Sequence, residues 1–163
     1  MLETLQKEHS AWAARNSAEL IPSLAALGIF EEACELLRVA VKLRALEVRG
    51  TKVRYTEEEL TRMLADAVGD CAVYCCSRCT ASGVDFSTAV RHAGMPPKSE
   101  PLLDACWRVL EAARGVVEAP QDKLAVVWVL SALQDTVRSV GLDFERCVTE
   151  AWSVVQARRP DRL

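Results

Sequence analysis

The chain has 163 residues, half of them hydrophobic, and a formal net charge of -3 with both signs interspersed. That length holds one domain or a duplicated small one and is enough to bury a real core, while the absence of a basic stripe argues against nucleic acid and anionic membrane surfaces as partners. Six Pro and seven Gly interrupt a composition rich in Ala, Leu, Glu and Arg, so the expected fold class is all-α.

No apolar segment reaches the ~18 residues that a membrane span needs, and the start of the chain has no signal-peptide pattern. Seven cysteines, an odd number, then point to a reducing, cytoplasmic setting rather than a disulfide scaffold. Cys71, Cys75, Cys76 and Cys79 fall inside a predicted helix, where small apolar thiols at spacings of three and four serve packing. The alternative, a zinc or redox half-motif at Cys76-x-x-Cys79, lacks a second pair and a nearby His.

In chain order, residues 2 to 15 form a predicted helix that lines up Leu5, His9, Trp12 and Asn16. Trp12 beside the Asn16 amide suits a planar base, or else is a packed Trp followed by a helix-ending Asn. Pro22 and Gly28 punctuate a loop or short helical piece, and a helix is expected from about Ile29 to Leu46, ended by Val48-Arg49-Gly50-Thr51. That helix carries Glu31, Glu32 and Glu35 within about one turn of each other. Like charges so close repel, so the cluster is either a solvated acidic face or a site that a divalent cation completes. Arg38 and Lys42 follow at +3 and +7 and would lie along the same groove to meet phosphate, or form a solvated face.

Thr56-Glu57-Glu58-Glu59 has the form of a capping box and opens a helix running to Ser82. Its middle is apolar nearly all round, which places it at the centre of a bundle. Asp66 and Asp70 share one face there, and the residues flanking Asp70 along the chain carry no opposite charge. A carboxylate buried in such a segment costs several kcal/mol unless something neutralises it, which marks the position as a candidate site. Tyr74, one turn further on, is either a core aromatic or a contact for sugar or base.

After Gly83, Asp85 caps a short helix, and Gly94-Met95-Pro96-Pro97-Lys98-Ser99-Glu100-Pro101 reads as a linker. The rest repeats the first part. Gly83-Val84-Asp85-Phe86 recurs as Gly141-Leu142-Asp143-Phe144, each after a long apolar helix, Ala65 to Ala81 and then Leu124 to Val140. A shorter helix, Leu102 to Arg114, stands where the Glu-rich helix stood. Shifting by the 58 residues that superpose the two turns sets Trp128 opposite Asp70. Aligning the preceding helices sets Trp107 and Arg108 opposite Glu31 and Glu32, with Glu111 opposite Glu35. The second copy has thus lost its acids. The expected organisation is a single helical bundle over 1–163, built from a metal-binding half at 1–94 and a degenerate repeat at 101–163. One chain would close its own pseudo-two-fold bundle, although apolar faces carrying Trp107, Trp128 and Trp152 leave room for a homodimer.

With Glu31-Glu32-x-x-Glu35 on one helix and Asp66-Ala67-Val68-Gly69-Asp70 on the next, the first half resembles the MazG-like family of all-α nucleotide pyrophosphohydrolases, to which dimeric dUTPase and dCTP pyrophosphatase are related. The similarity extends to Trp12-x-x-x-Asn16, Leu27-Gly28-Ile29, Lys42 with Val48-Arg49-Gly50, Asp70-x-x-x-Tyr74, the Gly-x-Asp-Phe turn, and Trp152-Ser153-Val154-Val155 through Arg158. It covers residues 5 to 93 and treats the rest as a degenerate repeat of the four-helix core.

The resemblance implies Mg²⁺-dependent hydrolysis, with Mn²⁺ as substitute, of a nucleoside triphosphate to the monophosphate and pyrophosphate. It carries over Glu32, Glu35 and Asp70 as metal ligands, Asp66 as a shorter-reach ligand, and Glu31 as a ligand or the base that orients water, with Glu31 and Glu35 as the catalytic acids. Trp12, Asn16, Arg38, Lys42 and Tyr74 then become candidates for substrate binding. Two positions depart from the family pattern: Ala67 stands where many relatives have Glu, and Cys34 where a small residue is usual. The competing expectation is a catalytically impaired relative acting as a nucleotide- or metal-binding module.

Overall fold

The computed structural model of the protein describes residues 2–16, 20–49, 54–94 and 100–157. Within them lie seven α-helices and no strand: α1 (Leu2–Arg15), α2 (Pro22–Arg49), α3 (Glu57–Ser82), α4 (Phe86–Ala93), α5 (Leu102–Glu118), α6 (Ala125–Ser139) and α7 (Phe144–Ala157). The expected all-α class is what the chain adopts. None of these helices is long and apolar enough to cross a membrane.

Local chemistry accounts for most helix ends. Thr56 opens α3 with a complete capping box, its hydroxyl accepting from the Glu59 N–H while the Glu59 carboxylate accepts from the Thr56 N–H at 2.8 Å. Gly83 closes α3 at φ 67°, and the Val84 N–H returns to the Cys79 carbonyl at 2.9 Å. Asp85 then caps α4 through the Thr88 N–H at 2.7 Å. The second turn has the same construction. Gly141 sits at φ 70°, the Leu142 N–H returns to the Val137 carbonyl at 2.9 Å, and Asp143 accepts from the Arg146 N–H at 2.7 Å.

Three boundaries differ from the sequence expectation, one of them the end of α2, which runs to Arg49 rather than about Leu46. Instead of beginning near Ile29, α2 starts at Pro22 and runs straight through Gly28. Proline is well placed at a first helical position, where its missing N–H has no partner to lose, and Gly28 is retained for packing rather than for a turn. At the other end of the chain, α5 continues past Arg114 to Glu118. The proposed stop at Gly50-Thr51, most of the linker (95–99) and Arg158 lie outside the described residues.

The helix expected to be central is central: α3 packs on α2, α7, α6, α1 and α4. Its Leu60, Leu64, Val68, Cys71, Ala72, Cys75, Cys76 and Cys79 are fully buried. Burial of each of the larger of these side chains contributes about 1.5–3 kcal/mol. A second pair, α5 and α6, packs against the first through α2–α5 and α3–α6. The buried positions of α5, Ala105, Cys106, Val109, Ala113 and Val116, repeat those of α2, Ala25, Ala26, Ile29, Ala33 and Leu36.

The three tryptophans of the second half part company. Trp107 and Trp128 are exposed, whereas Trp152, expected on an open apolar face, is buried at 4% exposure. Its ring meets Trp12 edge-on, with centroids 6.3 Å apart, and its Nε1 donates to Glu8 at 3.0 Å, so α7 and α1 cover it together.

Candidate functional site

The acids of the first half come together through the antiparallel pairing of α2 and α3, whose contacts form successive rungs. The Tyr74 ring lies against Gly28 so closely that a Cβ there would stand 2.4 Å from the ring's Cδ1. The Cys71 thiol donates to the Ile29 carbonyl at 3.7 Å. Next along α2, Glu32 feels Asp70 of α3 as the strongest of the charges around it. One helical turn of about 5.4 Å separates the first rung from the last.

Glu32 is the electrostatic centre of this arrangement. Burial pushes its carboxyl up to about 7, and repulsion from Asp70, Glu35, Glu31 and Asp66, in that order, pushes in the same direction. Five carboxylates from two helices therefore share one neighbourhood. Glu31 and Asp66 are exposed, and Glu35 and Asp70 half-buried. Asp70 is less enclosed than its apolar flanks suggested, because the face of α3 it shares with the exposed Asp66 and Tyr74 is turned toward solvent rather than into the core.

The carboxylates are neighbours without being closed on a common point. Among the described residues, no three His, Cys, Asp or Glu side chains are placed so as to hold a metal ion together. Glu35 is turned along its own helix, accepting from Arg38 Nη2 at 2.7 Å. That pair is open to solvent on both sides, with side-chain exposures of 61% and 43%, so it is worth at most about 1 kcal/mol and holds Glu35 only weakly. The donor set, carboxylate oxygen throughout, suits a hard cation such as Mg²⁺ or Mn²⁺.

The candidates for substrate contact are distributed differently. Tyr74, 38% exposed, lies against Gly28, about one helical turn from the Glu32–Asp70 pair. Arg38 is nearly two turns from Glu32 and is engaged by Glu35. Lys42 lies further along α2, its ammonium 4.9 Å from the centroid of the Tyr55 ring. Asn16 ends α1, its amide donating to the Trp12 carbonyl at 2.8 Å, and the Trp12 ring packs on Trp152 of α7. The helix-ending reading of this pair is the one their contacts support.

Two polar features escaped the sequence. His9 is buried between the Trp12 and Trp152 rings, with Nε2 2.8 Å from the Ser77 hydroxyl and Nδ1 without a hydrogen-bond partner. Burial lowers its pKa. Only its place on the α1 stripe with Leu5 and Trp12 hinted at this. In the second half Asp135, 3% exposed, accepts from Arg108 at 2.8 Å and from Arg138 at 2.6 Å, while Arg108 also grips Glu100. The second half therefore has an acid of its own, used to tie α5 to α6.

The cysteines behave as packing residues. Cys71, Cys75, Cys76 and Cys79 are buried, and burial pushes the Cys76 and Cys79 thiols up to about 12. Cys34, between Glu31 and Glu35, is exposed. An open groove of about 1080 Å³ runs between the start of α3 and the α6–α7 turn, lined by Thr56, Glu59, Arg62, Asp143, Arg146 and Glu150 among others. It reaches Ala65, but none of the five acids of the cluster lines it.

Compared with known proteins, the chain matches no family model, no curated protein and no solved structure.

Proposed function

We propose that the protein is a MazG-like, Mg²⁺-dependent nucleoside triphosphate pyrophosphohydrolase that works in the cytoplasm, releasing pyrophosphate and a nucleoside monophosphate. The observation that carries this reading is Glu32, raised to about 7 by burial and by the repulsion of four other carboxylates on α2 and α3. Such repulsion costs stability unless a cation offsets it, and perturbed acids grouped in a groove are a mark of functional sites.

Glu32, Glu35, Asp66 and Asp70 are the residues that would hold the ion. Mg²⁺ bound there would neutralise charge on the phosphate oxygens and lower the pKa of a bound water. Glu31, exposed beside the other acids, would orient the attacking water and take its proton. Glu35 would turn off Arg38, and the freed guanidinium would then meet phosphate oxygens.

The same reading takes 1–94 and 101–163 as two copies of one unit. Its support is the matched pair of Gly-x-Asp-Phe turns and the matched burial of α2 and α5. That burial sets Glu111 opposite Glu31, Ala112 opposite Glu32 and Gly115 opposite Glu35, one turn from the alignment drawn on sequence alone. Leu124 and Trp128, both exposed, stand opposite Asp66 and Asp70, so the second copy would bind no ion.

A second reading, a helical module that binds nucleotide or metal without turnover, is favoured by the absence, among the described residues, of three ligands already placed around one ion. Assay against a panel of ordinary and modified triphosphates with Mg²⁺ or Mn²⁺ decides between them. The first reading expects metal-dependent pyrophosphate release that Glu35→Gln and Asp70→Asn each reduce at least about a hundredfold. Nucleotide binding by calorimetry without any product would establish the second.

A further inference from the structure

Tyr74 is seated in a way the chemistry above does not require. A Cβ on Gly28 would meet ring atoms Cδ1, Cε1 and Cγ at 2.4, 2.5 and 2.8 Å, so the edge of the ring, including the atom nearest the backbone, rests on the α2 main chain. No other residue type leaves room for it. The opposite side of α3 is equally tight, since a Cβ on Gly69 would come within 2.4 Å of the Cys147 carbonyl oxygen and 2.7 Å of the Ala151 Cβ on α7. Helix α3 is therefore held close against α7 and has no slack to retreat from α2.

We infer that Gly28 is a positioning residue: its missing side chain forms a slot that holds the Tyr74 ring beside the acidic cluster, and the seated ring is the platform on which the nucleoside part of the substrate stacks. The inference rests on the proposed nucleotide chemistry. Geometry favours the role, because the last rung, the Glu32–Asp70 pair, lies just past the Cys71–Ile29 contact, which places the ring about one helical turn from where the phosphates would be held. Tyr74 is 38% exposed, which leaves part of the residue accessible to a base. A side chain at position 28 displaces the ring rather than the helices, because swinging an exposed ring into water costs less than parting α2 from α3 while Gly69 pins α3 to α7.

The test is a double-mutant cycle on nucleotide turnover. Gly28→Ala and Tyr74→Ala are each expected to raise KM for the nucleotide about tenfold, the size of one lost stacking contact, with little change in kcat. The double variant is expected to be no worse than Tyr74→Ala alone, and Mn²⁺ affinity measured without nucleotide is expected to stay unchanged in Gly28→Ala. Additive effects, or a wild-type KM in either single variant, would overturn the inference. Should Gly28→Ala fail to fold, the KM of Tyr74→Ala decides. If the wild-type protein turns over no triphosphate, the catalytic reading fails by itself. The slot then stands or falls on a nuclear Overhauser contact between the Tyr74 ring and the Gly28 α-protons, and the platform on binding of a non-hydrolysable triphosphate.

Discussion

Glu32 and His9 give the molecule two opposed pH dependences. For Glu32 the folded state holds its proton more tightly than the unfolded chain does, with a pKa of about 7 against an ordinary value of 4.5. Its contribution to stability is complete below 4.5 and is lost as pH rises through about 7. His9 acts the other way: burial depresses its pKa below 6.5, so its contribution is present above 6.5 and is lost as pH falls through the lowered value. Comparing the wild type with Glu32→Gln cancels the His9 part. In metal-free buffer the two proteins are expected to melt together near pH 4.5, and the variant to melt higher by on the order of 2 °C at pH 8. A melting difference that stays constant from pH 4.5 to 8 would mean that the neighbouring acids do not press on Glu32 in solution.

Glycines govern how the helices approach one another. Gly69 is needed because α7 passes with its backbone against the helix surface, whereas Gly83 and Gly141 are needed for the left-handed turns that end α3 and follow α6. Gly69→Ala must push the Cys147 carbonyl away, since main chain cannot rotate aside as a side chain can. An overpacked crossing of this kind costs about 1–3 kcal/mol, which denaturant unfolding would register as a lower midpoint at an unchanged slope. An unaltered midpoint would show that α7 is not held where these distances put it. Asp135 illustrates the complementary device. Its two arginine partners reach across from α5 and along α6, and because both keep 30% or more of their side chains exposed, the network joins helices without burying an uncompensated charge.

For the molecule as a whole, α3 is the helix around which the others are laid, and the cysteines show how completely it is enclosed. Of the seven thiols, Cys34 is exposed and the other six are buried. Reaction of the native protein with a thiol reagent is therefore expected to label one cysteine rapidly and the remaining six only after unfolding. Rapid labelling of more than one would mean that the bundle opens readily around α3, α5 or α7. The exposed thiol also sits between two acids of the candidate site, so a bound divalent cation is expected to slow that single fast reaction.

Much of this architecture follows from short-range chemistry. The Thr56 capping box, the Asp85 cap, the two Gly-x-Asp-Phe turns and the apolar middle of α3 are each legible in the sequence, because every one of them is decided by residues within a turn or so of each other. The grouping of acids on α2 and α3 is legible in outline for the same reason, since helical spacing puts Glu31, Glu32 and Glu35 on one element and Asp66 and Asp70 on another. What only the tertiary structure decided is how those elements are rotated and set against each other. That rotation buries Glu32 in part beside Asp70, buries Trp152 against Trp12 and His9, gives Asp135 two arginines, and lays the Tyr74 ring on Gly28. Spacing along one helix carries no information about the distance to the next, and burial, repulsion and close packing all depend on that distance.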